Sequence, residues 1–235
     1  TLEGPIQKGK SSFMISGRRT YYDIIAKPFI KGNFNGGYYF YDLNGKVNFK
    51  LTKKDHLYIS GYLGDDKFYA KQKQEDGGAL SSSFNTDLKW GNITTVARWN
   101  HQYNNKLFGN LTAYYSQYRF VVSTQTKSTF SGSNDEFYLK YSSGINDKAV
   151  KYDFDYIPHP NHYVKTGVGY VNHTYKPGAQ QTRVAAVGFK QDTTIATKDI
   201  NAGEIDAYIE DDIRISSKLK ANLGVHWTGF MVQDK

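Results

Sequence analysis

The residues best placed to do chemistry lie near the C-terminal end of the chain. Glu204, Asp206, Glu210 and Asp212 fall at even positions, with Arg214 beyond them. On a strand they would share one face, because successive side chains point to opposite sides. Carboxylates so placed suit Ca²⁺ coordination or an acid–base pair. The plainer use is to line a wet surface and pair with Arg18, Lys46, Arg98 or a separate domain. Asp211 falls on the opposite, apolar row, which a position at the rim or a local bulge would accommodate. A second pattern, Gly4-Pro-Ile-Gln-Lys-Gly9-Lys10-Ser11, satisfies the phosphate-loop spacing GxxxxGK[ST]. That chemistry needs a strand before the loop and a helix after it, whose N-terminal amides face the phosphates. Only three residues precede this match and an alternating segment follows, so nucleotide binding is not expected. His159 and His162 flank a turn without a third ligand nearby, and neither HExxH nor Gly-x-Ser-x-Gly occurs. No catalytic group, metal site or cofactor is therefore expected. Asn92, Asn110 and Asn172 fit glycosylation sequons and read as ordinary strand residues.

What must position these residues is a repeated alternation. Tyr39, Tyr41, Leu43, Gly45, Val47 and Phe49 form one row, and Phe40, Asp42, Asn44, Lys46, Asn48 and Lys50 the row between. After the polar break Thr52–Asp55, Leu57, Ile59, Gly61 and Leu63 oppose His56, Tyr58, Ser60 and Tyr62. Alternation across a short polar turn predicts a β-hairpin. Strands of about 13 residues stand ~30 Å tall when tilted near 45°, which fits the apolar band of an outer-membrane barrel.

The same pattern recurs over 11–18, 90–103, 107–122, 136–156, 162–175, 204–215 and 219–227, for about nine strands in all. Within 136–156 the apolar parity switches from odd (Phe137, Leu139, Tyr141) to even (Val150, Tyr152, Phe154, Tyr156), so a bulge near 144–148 is expected. Residues 21–29 read as a short turn of helix. Short turns at 52–55, 104–106, 158–161 and 216–218 alternate with long polar loops at 23–37, 70–89, 123–135 and 176–203. Short turns on one rim and long loops on the other mark outer-membrane barrels. The fold class is thus all-β, an antiparallel up-and-down transmembrane β-barrel in partial form, with residues 1–10 as an entry linker and 11–235 as the barrel part.

Composition agrees. Of 235 residues 39% are hydrophobic, 16% are aromatic and 20 are Tyr, and the mean hydropathy is −0.63. No run approaches the ~18 apolar residues of a membrane helix, so any crossing is by strands. The absence of Cys excludes disulfides, thiol catalysis and Cys-based metal sites. The net charge of +8 is dispersed through turns and alternating positions, which argues for solvated surfaces rather than nucleic acid.

The ordered segments Glu3-Gly4-Pro5-Ile6, Ser12–Arg19, Tyr39–Asn44, Leu57–Tyr62, Arg98–His101, Lys106–Phe108, Tyr208–Asp212 and Leu219–Trp227 resemble the TonB-dependent outer-membrane receptors of the Bacteroidetes type. The resemblance runs over nearly the whole chain, in the order of the N-terminal part of the barrel. It implies energy-coupled uptake of an unidentified ligand (siderophore, glycan or peptide) through a larger barrel of about 22 strands. The partners it implies are a plug domain, the TonB complex, membrane lipid and lipopolysaccharide, and a surface lipoprotein. Because the sequence lacks a plug and reaches only about nine strands, a piece of a larger barrel is expected. Arg18, Asp42, Asn44, Lys46, Asn48, Arg98, Asn100, Glu210, Asp212 and Arg214 would face the lumen or plug. Tyr39, Tyr41, Leu43, Val47, Leu57, Ile59, Trp99, Leu223, Val225 and Trp227 would face the membrane. Tyr38, Tyr39, Tyr62, Trp90, Tyr103, Tyr156 and Trp227 suit interfacial girdles or sugar stacking. A passive porin or scaffold and a soluble all-β glycan- or nucleic-acid-binding module are the alternatives.

Overall fold

The computed structural model describes residues 1–30, 32–76 and 80–233. Eleven strands form one antiparallel sheet: β1 (Leu2–Gln7), β2 (Ser11–Arg19), β3 (Phe34–Lys50), β4 (Asp55–Asp76), β5 (Leu80–Gln102), β6 (Leu107–Phe130), β7 (Ser133–His159), β8 (His162–Ala186), β9 (Phe189–Ala196), β10 (Ile200–Arg214) and β11 (Lys220–Gln233). Each strand pairs with its sequence neighbour, except that β8 holds β9 along its upper part and β10 along its lower part. β1 and β11 end the run of paired strands, β9 has a free edge of its own, and among the described residues no pairing joins β1 to β11. Between β2 and β3 sit a one-turn helix α1 (Tyr22–Ile25) and a 3-10 turn (Lys27–Phe29), as the sequence led us to expect.

The sheet is a single layer. Among the described residues Ala149 and Ala202 are the buried hydrophobic side chains. Cohesion therefore comes from the hydrogen-bond ladders and from side chains paired across neighbouring strands.

The strands are tilted with respect to the line of turns. One paired row crosses the sheet through Lys50, His56, Asn100, Asn110, Asp153, Gly167, Tyr208 and His226. The β3–β4 turn begins at that row, whereas β5 runs on to Gln102 and β10 to Arg214 before turning. Turns that step steadily down from strand to strand are the stagger of a barrel wall. We call this the lower rim. The face bearing Leu43 and Ile59 is the outer face, and the one bearing Asn44 and Ser60 the inner face.

Several expectations need correction. Among the described residues there are eleven strands rather than about nine. Residues 1–10 are not an irregular lead-in, because Leu2–Gln7 pairs with β2 from Leu2↔Ile15 to Gln7↔Ser11. Pro5, which lacks a donor, is tolerated there because β1 is an edge strand. The Gly4–Ser11 phosphate-loop match is this hairpin; a strand follows it and no helix does.

The long loops at 70–89, 123–135 and 176–203 are largely strand. β4 and β5 run through the first, with Gly77 and Gly78 outside the described residues. β6 and β7 meet across the two residues Ser131 and Gly132, both at positive φ (47° and 82°), as in a type I′ hairpin turn. Ser, Thr and Gln on both rows hid these strands, because a hairpin standing in water needs no apolar face to satisfy its backbone groups.

The parity switch in β7 has no bulge against β6, whose register runs unbroken from Leu107↔Tyr156 to Phe130↔Ser133. The irregularity lies on the β8 side, between Ser142 and Gly144, opposite Pro177 and Gly178. Phe137, Leu139 and Tyr141 therefore stay on the inner face while Val150 to Tyr156 stay on the outer one.

Two outcomes follow from the hairpin tips. Gly132→Val should destabilise the fold by about 1–2 kcal/mol, the cost of a β-carbon in the left-handed region. Denaturant unfolding followed by circular dichroism would read it. At the β8–β9 tip, Arg183 lies 3.0 Å from Asp192. Together with Gln181 it holds the Asp192 carboxyl below the ordinary carboxylate range. A depressed folded value means stability present near neutral pH and lost as pH falls through it. Protection factors of the β8–β9 amides, referred to intrinsic exchange at each pH, should therefore fall below about pH 4, and Asp192→Asn should remove that dependence.

Candidate functional site

In the lower half of the sheet the two faces differ in character. Unbroken register places Arg18, Asp42, Asn44, Lys46, Asn48, Arg98, Asn100, Glu210, Asp212 and Arg214 together on the inner face. Tyr39, Tyr41, Leu43, Val47, Leu57, Ile59, Trp99, Leu223, Val225 and Trp227 fall on the outer face by the same register. The outer apolar side chains are widely exposed, Leu223 at 65% and Val225 at 72% among them.

The inner face is a continuous polar network. Arg18 Nε donates to Asp42 at 2.5 Å, and Asn44 reaches the same carboxylate at 3.5 Å. Asp42 is buried while the Arg18 side chain is 72% exposed, so the arginine is free to meet a second anion. Asn48 donates to Ser12 at 2.5 Å, Lys46 lies over the Tyr58 ring at 5.5 Å, and Arg98 donates to Thr112 at 3.3 Å. Asn100 donates to Asn110, Asn110 to Asp155 at 3.2 Å, and Tyr163 to Asp155 at 2.6 Å. That relay spans four strands. With Lys53, His56 and Tyr58 it lines a groove of about 490 Å³ near the lower rim.

On the inner face acidic residues concentrate on β7 and β10. The expected partners Arg18, Lys46 and Arg98 stand several strands away, so the β10 carboxylates pair locally instead. Glu210 binds Lys165 at 3.2 Å, Glu204 lies 3.4 Å from His173, and Asp212 accepts from Asn222 at 2.8 Å. Tyr208 reaches over β8 to donate to Asp153 at 2.8 Å. It can do so because Gly167 lies between them; a β-carbon there would stand 2.5 Å from the Asp153 carboxylate and 2.7 Å from the Tyr208 ring. The Arg214 amide donates to the Asn161 carbonyl at 2.8 Å.

Asp211 sits on the outer row without a bulge, and at the lower rim His162 lies 2.6 Å from it. The His159 ring accepts from the Asn161 amide at 3.3 Å. Among the described residues no group of three or more His, Cys, Asp or Glu is arranged to hold a metal ion. The aromatic residues divide by face. Tyr39, Tyr103, Tyr156 and Trp227 lie on or beside the outer row, and Trp99, also on that row, donates to Asp55 at 3.1 Å. Tyr38, Tyr62 and Trp90 belong to the inner face, where Tyr38 stacks on Trp90 at 6.3 Å and donates to Asp66 at 2.5 Å.

No family model matches the chain, and no curated protein is similar to it. Among solved structures, LpxR from Salmonella typhimurium is 10% identical, with 94% of this chain and 99% of that chain covered, at a TM-score of 0.20. The KdgM porin in complex with disordered oligogalacturonate is 12% identical, with coverage of 74% and 95%, at a TM-score of 0.12. Similarity this low carries no functional argument, and the geometry has to do so.

Sequence reasoning missed the upper half, where the faces exchange character. Phe68, Phe84, Leu88, Phe120, Leu139 and Phe137 line the inner side there, among uncharged Ser, Thr and Gln. The signal was present only as apolar residues of one parity, four apart, at Leu80, Phe84 and Leu88.

The bond across Gly167 gives a clear test. Gly167→Ala and Tyr208→Phe should each destabilise the fold, by about 1–2 and about 1 kcal/mol. The double variant should fall short of their sum, since both remove the same hydrogen bond. Unfolding curves for the four proteins would show it.

Proposed function

We propose that the chain forms a stretch of outer-membrane β-barrel wall, of the TonB-dependent receptor type, serving energy-coupled uptake of a ligand such as a siderophore, glycan or peptide. The observation that carries the membrane reading is the outer face of the lower half. It is apolar from Tyr39 to Phe49 on β3 and from Ala221 to Met231 on β11. Charge bounds it on both sides, with Asp55–His101 and Asp211–His162 below and Asp65–Lys89 and Lys67–Asp87 at its upper end, level with Tyr41 and Tyr39. About 11 residues at about 3.4 Å each, tilted near 45°, stand about 26 Å tall, close to the apolar band of a bilayer-spanning barrel. A single-layer sheet must bury a face against something, and lipid fits this one.

Short turns then lie on the periplasmic rim and the long hairpins on the extracellular one. The TonB-dependent type is supported by the resemblance of the ordered strand segments and by an inner face rich in exposed polar groups, with which a plug would pair. The same inner face would also serve a passive porin, and neither reading gives the chain a catalytic role.

Leu43→Arg places a charge in the apolar band and should cost about 2–4 kcal/mol, blocking insertion into phosphatidylcholine vesicles in a flotation assay. Asn44→Arg, one residue along on the wet face, should insert like the parent protein. Equal behaviour of the two would refute the membrane reading. Uptake by cells expressing the complete gene should stop when TonB is deleted; persistence would favour the porin.

A further inference from the structure

From the upper end of the apolar band the outer face becomes basic. Lys67, Lys71 and Lys73 on β4, Lys89 on β5, and Arg119 and Lys127 on β6 lie on the same row as Leu57–Leu63 and Trp99, because β4, β5 and β6 keep register along their whole paired length. Three of these bases have carboxylate partners: Lys67 with Asp87 at 3.0 Å, Lys89 with Asp65 at 3.6 Å, and Lys127 with Glu136 at 4.0 Å. Lys71, Lys73 and Arg119 are exposed and, among the described residues, have no carboxylate within ion-pair distance.

Lys67 also stands directly opposite Lys89, a pairing of like charges that disfavours the ladder unless anions lie nearby. One such anion is built in. Asp65 is only 8% exposed and accepts from the Tyr41 hydroxyl at 2.7 Å. It leans over Gly91, where a β-carbon would stand 2.3 Å from its carboxylate.

The bases are one-sided, on an outer row that also carries Glu75 beside Lys73, while the inner row carries Asp66. The inner side of the same hairpins carries Phe68, Ala70, Gln72 and Gln74 on β4, and Ser82, Phe84, Thr86 and Leu88 on β5. A hairpin that merely stood in water would have no reason to sort its lysines to one face. Lys67, Lys89 and Arg119 stand at the upper end of the apolar band, and Lys71, Lys73 and Lys127 about four to six residues above the Lys67–Lys89 level, over the height at which the headgroups and inner sugars of the outer leaflet would lie. We propose that this basic belt binds the phosphate groups of a phosphorylated glycolipid of that leaflet, with Lys71, Lys73 and Arg119 supplying the unmatched charge. Ammonium and guanidinium groups bind phosphate through charge-assisted hydrogen bonds. The inference rests on the membrane reading above and names one lipid class that the wall would retain.

The test uses the full chain, reconstituted into phosphatidylcholine vesicles, extracted in mild detergent and titrated with diphosphoryl lipid A or its dephosphorylated form. Bound lipid is counted by native mass spectrometry. The parent protein should prefer the phosphorylated form, and rising salt should weaken that preference. K71Q/K73Q/R119Q should lower the affinity on the order of a hundredfold, at the usual contribution of each base beside an anionic lipid surface. K8Q/K218Q, on the opposite rim, should change nothing. Equal binding of the two lipids, a preference insensitive to salt, or an unaffected triple variant would overturn the proposal. A chain that inserts but shows no phosphate preference refutes this inference alone, whereas failure to float with the vesicles refutes the membrane reading with it.

Discussion

Backbone hydrogen bonding is the constraint on which everything else here depends. In a one-layer sheet there is no packed core to hold the chain, so each inner strand is kept in place by the ladders on its two sides. Hence the strands are long, 27 residues in β7 and 25 in β8, and the connections are tight. The side chains are left to meet whatever lies on each side of the wall. That freedom lets one sheet carry an apolar outer face and a wet inner one over one stretch, and the reverse arrangement over the next.

The inner network follows from the same geometry. Polar side chains on neighbouring strands stand within hydrogen-bonding reach, so Asn100, Asn110, Asp155 and Tyr163 connect across four strands without help from any loop. Where a bond must cross an intervening strand, that strand supplies a glycine, as Gly167 does beneath Tyr208 and Asp153. The carboxylates that look catalytic in sequence are thereby drawn into local pairs, Glu210 with Lys165 and Asp212 with Asn222.

The lower half was legible in the sequence because one of its faces is uniformly apolar. The row from Tyr39 to Phe49 and the row from Leu57 to Leu63 fix both strand and face, and the ladder of the β3–β4 hairpin agrees with them pair by pair. The upper half was not legible, since period two is visible only when the two faces have different solvents. Ser81, Ser82 and Ser83 are polar on both rows and so resemble a loop, although their backbone is paired on both sides. β1 was hidden by Gly4 and Pro5, residues that weaken an inner strand and are harmless at an edge. Local pairing was likewise beyond the sequence: nothing in Glu210 announces that Lys165 will stand beside it rather than Arg98.

The two-residue turn at Ser131 and Gly132 also bears on how such a wall is assembled. It joins strands of 24 and 27 residues that follow one another in the chain and pair from Phe130↔Ser133 outward. Closing a two-residue turn costs little chain entropy, and each further pair then forms beside one already made. The sheet can therefore grow as a zipper from hairpin to hairpin, without long searches between distant segments. Speed of folding is then set by the turns at the tips, where the smallest part of the chain fixes the register of the largest.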